Sequence, residues 1–346
     1  MPHQAAVIPM PARADTSWVG QGKWACPSSA RESRFFSEPR FPIKSGMTNV
    51  GVLNLFAMNP PNQSTLKCGV NGLPYLELRN PSGAQLDIYL HGAHATSWRT
   101  AEGRQMLFMS KKSFFKPNSP IRGGIPVVFP QFGDGPLPKH GFARINDWTF
   151  LNSQLTEDDC VEARLEMSEN QQTFKLWPHK FRLELLFRLK AAELEISFSI
   201  TNTGKKKFEF KNGLHTYFAV VDIGQASLAG LIGAGFVDFL GDKTVRAETR
   251  EKIKFERETD RIYPSAPNTV VLEDAGNRRK VVIEKQGMND VVIWNPWVEK
   301  SKRMEDFGDD EYNKMVCVET GNLHDSVFLP PGTTRNSLTR FRSGKI

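Results

Sequence analysis

Residues 181–200 read FRLELLFRLKAAELEISFSI, and two alternations within them decide how the chain folds. Leu183, Leu185, Phe187 and Leu189 take turns with Arg182, Glu184, Leu186 and Arg188; beyond a short AAE segment, Leu194, Ile196, Phe198 and Ile200 take turns with Glu195, Ser197 and Ser199. Successive side chains of a strand point to opposite faces, so a period of two with one apolar face marks a half-buried strand. Two such runs joined by a turn predict an antiparallel pair. Similar short runs recur at LDIYL (86–90), QMLFM (105–109), KVVIEK (280–285), DVVIW (290–294) and MVCVE (315–319). Gly and Pro separate them at the spacing of a sandwich or barrel, not of alternating strands and helices. Helical periodicity is scarce; a short turn is expected at GDDEYNK (308–314), where acids near its start suit the helix dipole. No boundary divides residues 64–346, which read as one all-β domain of antiparallel strands.

The N-terminal 63 residues differ. They are rich in Ala, Ser, Pro and Arg, lack sustained periodicity and hold more basic than acidic residues. Such a segment buries too little apolar surface to offset its ordering entropy, so disorder is expected. Its composition suits either an organelle transit peptide, against which Asp15, Glu32 and Glu38 count, or a dispensable tail. MNPPNQ (58–63) reads as the linker into the first strand.

Composition narrows the function. The 346 residues are 39% hydrophobic and 24% charged, as in a soluble globular protein, and no stretch has the uninterrupted apolar length of a membrane-spanning helix. The net charge of +7 comes from basic residues interleaved with acids. That disfavours a nucleic-acid partner, which calls for a basic stripe, but is compatible with a small anionic substrate. Cys26, Cys68, Cys160 and Cys317 lie far apart with no histidine at ligand spacing, so neither a zinc site nor a disulfide framework is expected, and a reducing compartment is the simplest address.

Two polar residues sit where chemistry is possible. His215, in FKNGLHTYFAV, follows a Gly-containing turn; it either holds that turn or acts as an acid or base near neutral pH. Glu319, in MVCVETGN, sits in an apolar strand; it either faces outward or is buried with a partner or a raised pKa. A third feature is NSPIRGGIPVVFPQFGDGPLPKHGFAR (118–144), which spreads Arg122, Lys139, His140 and Arg144 along a Gly/Pro-punctuated stretch whose one acid is Asp134.

Taken together, IRGGIPVVFPQFG, HGFAR, NGLHTYF, VVIWNPW and MVCVETGN, in this order, resemble the hexose-6-phosphate mutarotases, or glucose-6-phosphate 1-epimerases, of the aldose 1-epimerase-like group. The resemblance covers nearly all of residues 66–342 and leaves residues 1–60 outside. It implies a galactose-mutarotase-like β-supersandwich with the sugar in an open cleft on one sheet. It also implies that His215 and Glu319 are the catalytic pair and that Arg122 and Arg144 bind substrate, with His140 in or beside the cleft. GFVDFLGDK looks like the group's aromatic-x-Asp, which makes Asp238 a sugar-hydroxyl ligand, with Asp242 as the alternative. The chain departs from the group at Lys139, where glutamine is common; lysine keeps a donor and adds charge.

The implied reaction suits these side chains. Interconverting α and β anomers removes the proton from the anomeric hydroxyl and protonates the ring oxygen, so the ring opens, rotates and recloses. Glu319 is then the base and a protonated His215 the acid, and neither metal nor other cofactor is required. Arg122, Lys139 and Arg144 would clamp the 6-phosphate, because guanidinium groups bond phosphate oxygens bidentately, or else pair with surface acids. Gly123 and Gly124 would let the backbone approach the ligand. Trp294 to Trp297 either stack on the sugar or form a core corner. His94 and His179 read as supporting or structural, His91 and His324 have no assigned role, and EDFGDDEY (305–312) reads as a solvated loop. The remaining expectations are a small-molecule sugar phosphate as partner, a monomer, and a cytoplasmic address unless the N-terminal extension directs import. Two rivals stay open: an epimerase of free aldoses, and a carbohydrate-binding module that has lost the reaction.

Overall fold

The computed structural model describes residues 63–346; the expected disorder of the N-terminal extension falls on residues outside that range. Strands Phe181–Leu189 and Glu193–Asn202 form the antiparallel pair that the alternation predicts, in register Leu189↔Leu194. Lys190 N donates to Glu193 O at 2.9 Å and closes the turn. Every apolar residue of the two alternations is buried, whereas the alternate residues Arg182, Glu184, Arg188, Ser197 and Ser199 are not. Glu195 breaks the pattern: it is buried, and its carboxylate bonds Arg188 and Arg340.

These strands lie within a nine-stranded sheet that runs from Lys252–Lys254 at one edge to Thr149–Leu155 at the other. An eight-stranded sheet packs against it. In spatial order it comprises Val245–Ala247, Gly235–Asp238, Thr259–Tyr263, Asp290–Asn295, Met315–Leu329, Phe208–Leu214 and Val127–Val128, with Tyr217–Ala219 also on Met315–Leu329. A meander of Ser64–Cys68, Pro74–Arg79, Gln85–Tyr89 and His94–Arg99 forms the third sheet. One apolar cluster joins all three: Leu76 and Ile88 from the meander, Leu185 and Phe198 from the large sheet, Val291, Ile293, Val316 and Val318 from the eight-stranded one.

The expected strands at 86–90, 280–285, 290–294 and 315–319 are present, the last running on to Leu329. QMLFM is not a strand. Gln105, Leu107 and Met109 make isolated bridges to Arg99, Phe218 and Gly123, three partners on different segments, so no continuous ladder forms although Met106 and Leu107 are buried. GDDEYNK contains the 3-10 turn Glu311–Lys314. A six-residue helix, Trp297–Lys302, follows VVIWN, with the Trp297 N–H donating to Asn295 Oδ1 at 2.9 Å. The cysteine expectation needs a correction: Cys68 is disulfide-bonded, while Cys160 and Cys317 are free and buried. Spacing along a chain does not report which thiols the fold brings together.

Candidate active site

The second face of the eight-stranded sheet carries the site. Along Met315–Leu329, Val316 and Val318 enter the sandwich core, so alternation sends Cys317 and Glu319 to the opposite face. The register Val292↔Glu319 and Trp294↔Cys317 extends that face across the neighbouring strand, and Ile262↔Val292 and Asp260↔Trp294 carry it one strand further. On the other side, Leu214 pairs with Thr320 and Tyr217 with Cys317, so the chain between these two short strands sets His215 opposite Glu319. His215 Nε2 and Glu319 Oε1 are 3.3 Å apart, with side chains only 7% and 2% exposed. His215 Nδ1 and Glu319 Oε2 are buried without a hydrogen-bond partner among the described residues. Both residues line a cavity of about 650 Å³, ample for a monosaccharide.

The walls hold the pair rigidly. Tyr217 stacks on His215, centroids 4.8 Å apart and planes within 8°. Its hydroxyl accepts from Arg122 Nη1 at 2.9 Å, and Arg122 Nε donates to Asp306 Oδ2 at 3.1 Å. Burial alone would lower the Arg122 pKa, but Tyr217 and Asp306 outweigh it, so the guanidinium is firmly charged. Arg122, Tyr217, His140 and Trp294 all face the cavity.

Comparison with known proteins agrees with this geometry. Residues 74–342 match the family model described as "Aldose 1-epimerase". A "Putative glucose-6-phosphate 1-epimerase" of Cenchrus ciliaris is 37% identical over 270 residues, covering 76% of this chain and 82% of that protein. A protein of the same name from Escherichia coli strain K12 is 37% identical over 235 residues, covering 67% and 77%. The crystal structure of a "putative mutarotase (YeaD)" from Salmonella typhimurium superposes with a TM-score of 0.76 at 28% identity, covering 82% of this chain and 94% of that one.

The chain belongs to the aldose 1-epimerase family. Its architecture is the galactose-mutarotase-like β-supersandwich expected from the sequence.

In this epimerase-family site the electrostatics favour a neutral pair. Burial lowers the His215 pKa well below its ordinary value, reinforced by the charges of Arg144 and Arg122. Burial raises that of Glu319 well above its own, reinforced by Asp260. Both shifts favour the uncharged forms of imidazole and carboxyl.

The other expected site residues divide. Arg122, Lys139 and His140 line the cavity, the last with its pKa lowered by burial and by Arg144. Arg144 is buried outside the lining, its Nη2 donating to Lys139 O at 2.6 Å and burial holding its pKa down to about 10. The three expected phosphate ligands thus do not converge here: Arg122 is taken up by Asp306, and Lys139 pairs at 3.3 Å with exposed Asp134. Asp238 pairs across strands with Arg261, Nε to Oδ2 at 3.1 Å, on the face away from Ile262 and outside the lining. Asp242 is exposed and bound to Arg246. Asp260, by contrast, does face the cavity, its pKa raised by burial against the pull of Lys300.

Sequence reading missed Asp260, Asp306 and Tyr217. Asp260 alternates with Ile262 in TDRIY, a strand-like signal for a cleft-facing acid; Asp306 sits in the run read as a solvated loop but is a ligand of Arg122. Gly123 and Gly124 also have another reason. A Cβ on Gly123 would meet Phe108 O at 2.5 Å, and one on Gly124 would meet Ala95 O at 2.2 Å, so they let backbone pack on backbone. His94 Nε2 donates to Gly123 O at 2.8 Å and pins this segment from below. His179 packs against Trp177 with the two rings tilted by 59°, and His91 sits between Asp147 and Ser119 O, both structural. His324 lines the cavity.

Proposed function

We propose that the protein interconverts the α and β anomers of hexose 6-phosphates, glucose 6-phosphate foremost, by acid-base ring opening and reclosure at His215 and Glu319. The observation that carries the reading is the 3.3 Å contact between these two groups at the wall of a sugar-sized cavity. The anomeric hydroxyl and the ring oxygen are bonded to the same carbon. An acid and a base that serve them together must therefore be neighbours, each with hydrogen-bonding capacity left for substrate. Nδ1 and Oε2 have that capacity, since neither is engaged among the described residues, while Nε2 and Oε1 meet each other.

The pair holds one transferable proton. The reaction calls for that proton on His215 and the negative charge on Glu319. Glu319 then takes the hydroxyl proton as His215 protonates the ring oxygen; the C1–O5 bond breaks, the aldehyde rotates, and the same groups reverse roles on closure. Arg122, Lys139 and His140 contact the sugar, Arg144 orients the Lys139–His140 segment, and Asp260 accepts from a hydroxyl. The reading takes the enzyme as monomeric and cytoplasmic. Among the described residues no helix is long and apolar enough to cross a membrane.

Saturation-transfer NMR between the anomers of glucose 6-phosphate tests the proposal. Exchange well above the uncatalysed rate, lost in His215→Asn and Glu319→Gln, is expected. Ligand binding without enhanced exchange would instead identify a carbohydrate-binding module, and exchange confined to free glucose an aldose epimerase.

A further inference from the structure

The cavity carries its positive charge unevenly. Five cationic side chains of Lys and Arg line it, and three are already neutralised: Arg122 by Asp306, Lys139 by Asp134, and Lys300 by Glu258 at 3.1 Å and Asp260 at 3.7 Å. Arg122 and Lys300 are thus held by Asp306 and Asp260, and Lys139 by Asp134, which itself lines the cavity. Lys211 and Lys243 have no carboxylate partner among the described residues. Lys243 is exposed on the loop after Phe239, whose N–H donates to Asp260 O at 2.9 Å.

Lys211 stands apart. It lies on Phe208–Leu214 two residues before Gly213, so regular alternation gives it the face opposite to the core residues Phe208, Phe210 and Leu214. Its backbone N–H donates to Pro130 O at 2.7 Å, in line with the pairs Gly213↔Val128 and Leu214↔Val127. On its other side the register slips between Phe210↔Val327 and Asn212↔Asn322, and the extra residues, Leu323 to Ser326, belong to the partner strand. The result is a half-buried lysine beside Leu323, which also lines the cavity. Along the cleft face Glu319 and His215 come first, Gly321 and Gly213 next, then Leu323 and Lys211. Leu323 covers both glycines: a Cβ on Gly321 would meet its Cγ at 2.7 Å, and one on Gly213 its Cδ2 at 2.9 Å. From Glu319 to Leu323 is about 13 Å of strand, a span that a hexose 6-phosphate and a lysine arm cover between them.

We infer that Lys211 receives the phosphate of the bound sugar, which orients the hexose with its 6-position over Leu323 and its hydroxyls towards Asp260. This rests on the hexose-phosphate reading above. An ammonium binds phosphate as a point charge and keeps its full value only where no carboxylate competes. Arg122, Lys139 and Lys300 already carry a carboxylate partner and Lys243 is exposed, so Lys211 offers the phosphate the half-buried charge that is not yet compensated.

Exchange NMR on glucose 6-phosphate and on glucose, with wild type, Lys211→Met, Lys211→Arg and Lys243→Met, tests this. Lys211→Met is expected to raise KM for the phosphate ester about tenfold, equivalent to one charge contact, with a loss on glucose at least about fivefold smaller. Lys211→Arg should recover most of the loss, and Lys243→Met should stay near wild type. Inorganic phosphate should inhibit wild type competitively and Lys211→Met more weakly. An unchanged KM in Lys211→Met, an equal loss on both sugars, or a larger effect at Lys243 overturns the assignment while leaving the reaction intact. Failure of wild type to exchange the anomers of glucose 6-phosphate sinks the substrate reading itself.

Discussion

Replacing Glu319 with Gln removes a proton carrier and keeps its shape, and the structure gives the change two opposite consequences. For catalysis the amide can hold the 3.3 Å contact to His215 but cannot take or give a proton. General acid-base help is worth about 10²- to 10⁴-fold, or about 3–5 kcal/mol of barrier, so kcat for anomer exchange should fall by that factor. For stability the sign is reversed. Burial raises the carboxyl pKa well above 4.5, so the folded state holds a proton that the unfolded chain releases near neutral pH. Keeping it costs stability that grows by about 1.4 kcal/mol per pH unit above 4.5 until the raised pKa is reached. Glutamine escapes that cost but leaves an amide group without a partner where Oε2 now lies, a loss of about 1–2 kcal/mol. A raised pKa gives stability that is fully present below 4.5 and is lost as pH rises, so the variant should be the less stable protein at pH 4.5, and the difference should shift steadily in its favour towards neutrality. His215 has a neutral neighbour in both proteins, and its own titration cancels in the comparison. Exchange NMR and urea denaturation across pH 4.5–7.5 measure the two effects. Exchange within threefold of wild type, or a stability gap that does not change with pH, refutes the reasoning.

Three further outcomes follow from individual contacts. Asp306→Asn leaves the Arg122 guanidinium to Tyr217 alone and should lower kcat/KM about 10- to 100-fold, the worth of a charged hydrogen bond, for glucose 6-phosphate and glucose alike; a loss confined to the phosphate ester would place Arg122 on the phosphate. Burial lowers the His94 pKa to about 3, so its contribution to stability is complete above 6.5 and is lost as pH falls towards 3, by about 2 kcal/mol at pH 5. Urea midpoints should fall less steeply with acid in His94→Gln than in wild type, and parallel curves would show that His94 titrates freely. Gly124→Ala puts a Cβ 2.2 Å from Ala95 O at φ +60°, where only backbone movement relieves the clash, and should cost more than about 3 kcal/mol by thermal or urea unfolding.

The fold was legible because sheet burial writes itself as alternation. Leu183 to Leu189 and Leu194 to Ile200 name both the strands and the face that enters the core. QMLFM carried the same local signal and failed, because a strand needs one continuous partner and these residues have three. The site was legible only in part. His215 and Glu319 were recognisable by their motifs, and the structure brings them together through a register that no local pattern encodes. Asp238 drew attention as a sugar ligand, yet pairing with Arg261 puts it on the opposite face from Ile262, one residue out of phase with Asp260. In a strand such a slip exchanges cleft for core, so motif matching to within a residue does not locate a ligand. Asp306 escaped because its partner Arg122 is 184 residues away, and Lys211 because the strand register that sets it beside Leu323 is not encoded locally.

A buried acid-base pair is costly, and an unbroken series of contacts from the sandwich edge to the cleft holds it in place. His94 fixes Gly123 O, which sets the segment that carries Arg122; Arg122 is tied by Asp306 and bonds the Tyr217 hydroxyl; Tyr217 stacks flat on His215; and His215 meets Glu319. Two of these links are backbone or ring-stacking contacts, which resist tilting more than a flexible side chain does. The orientation of the imidazole is thus determined before substrate arrives, and little binding energy goes to assembling the site. Breaking the series far from the pair should then lower kcat more than it raises KM, because substrate still finds the cleft but meets a ring free to tilt. Tyr217→Leu, which removes both the stack and the hydroxyl, makes that distinction sharpest. A rise in KM with unchanged kcat in that variant would mean that Tyr217 serves as a sugar contact and that His215 holds its orientation without it.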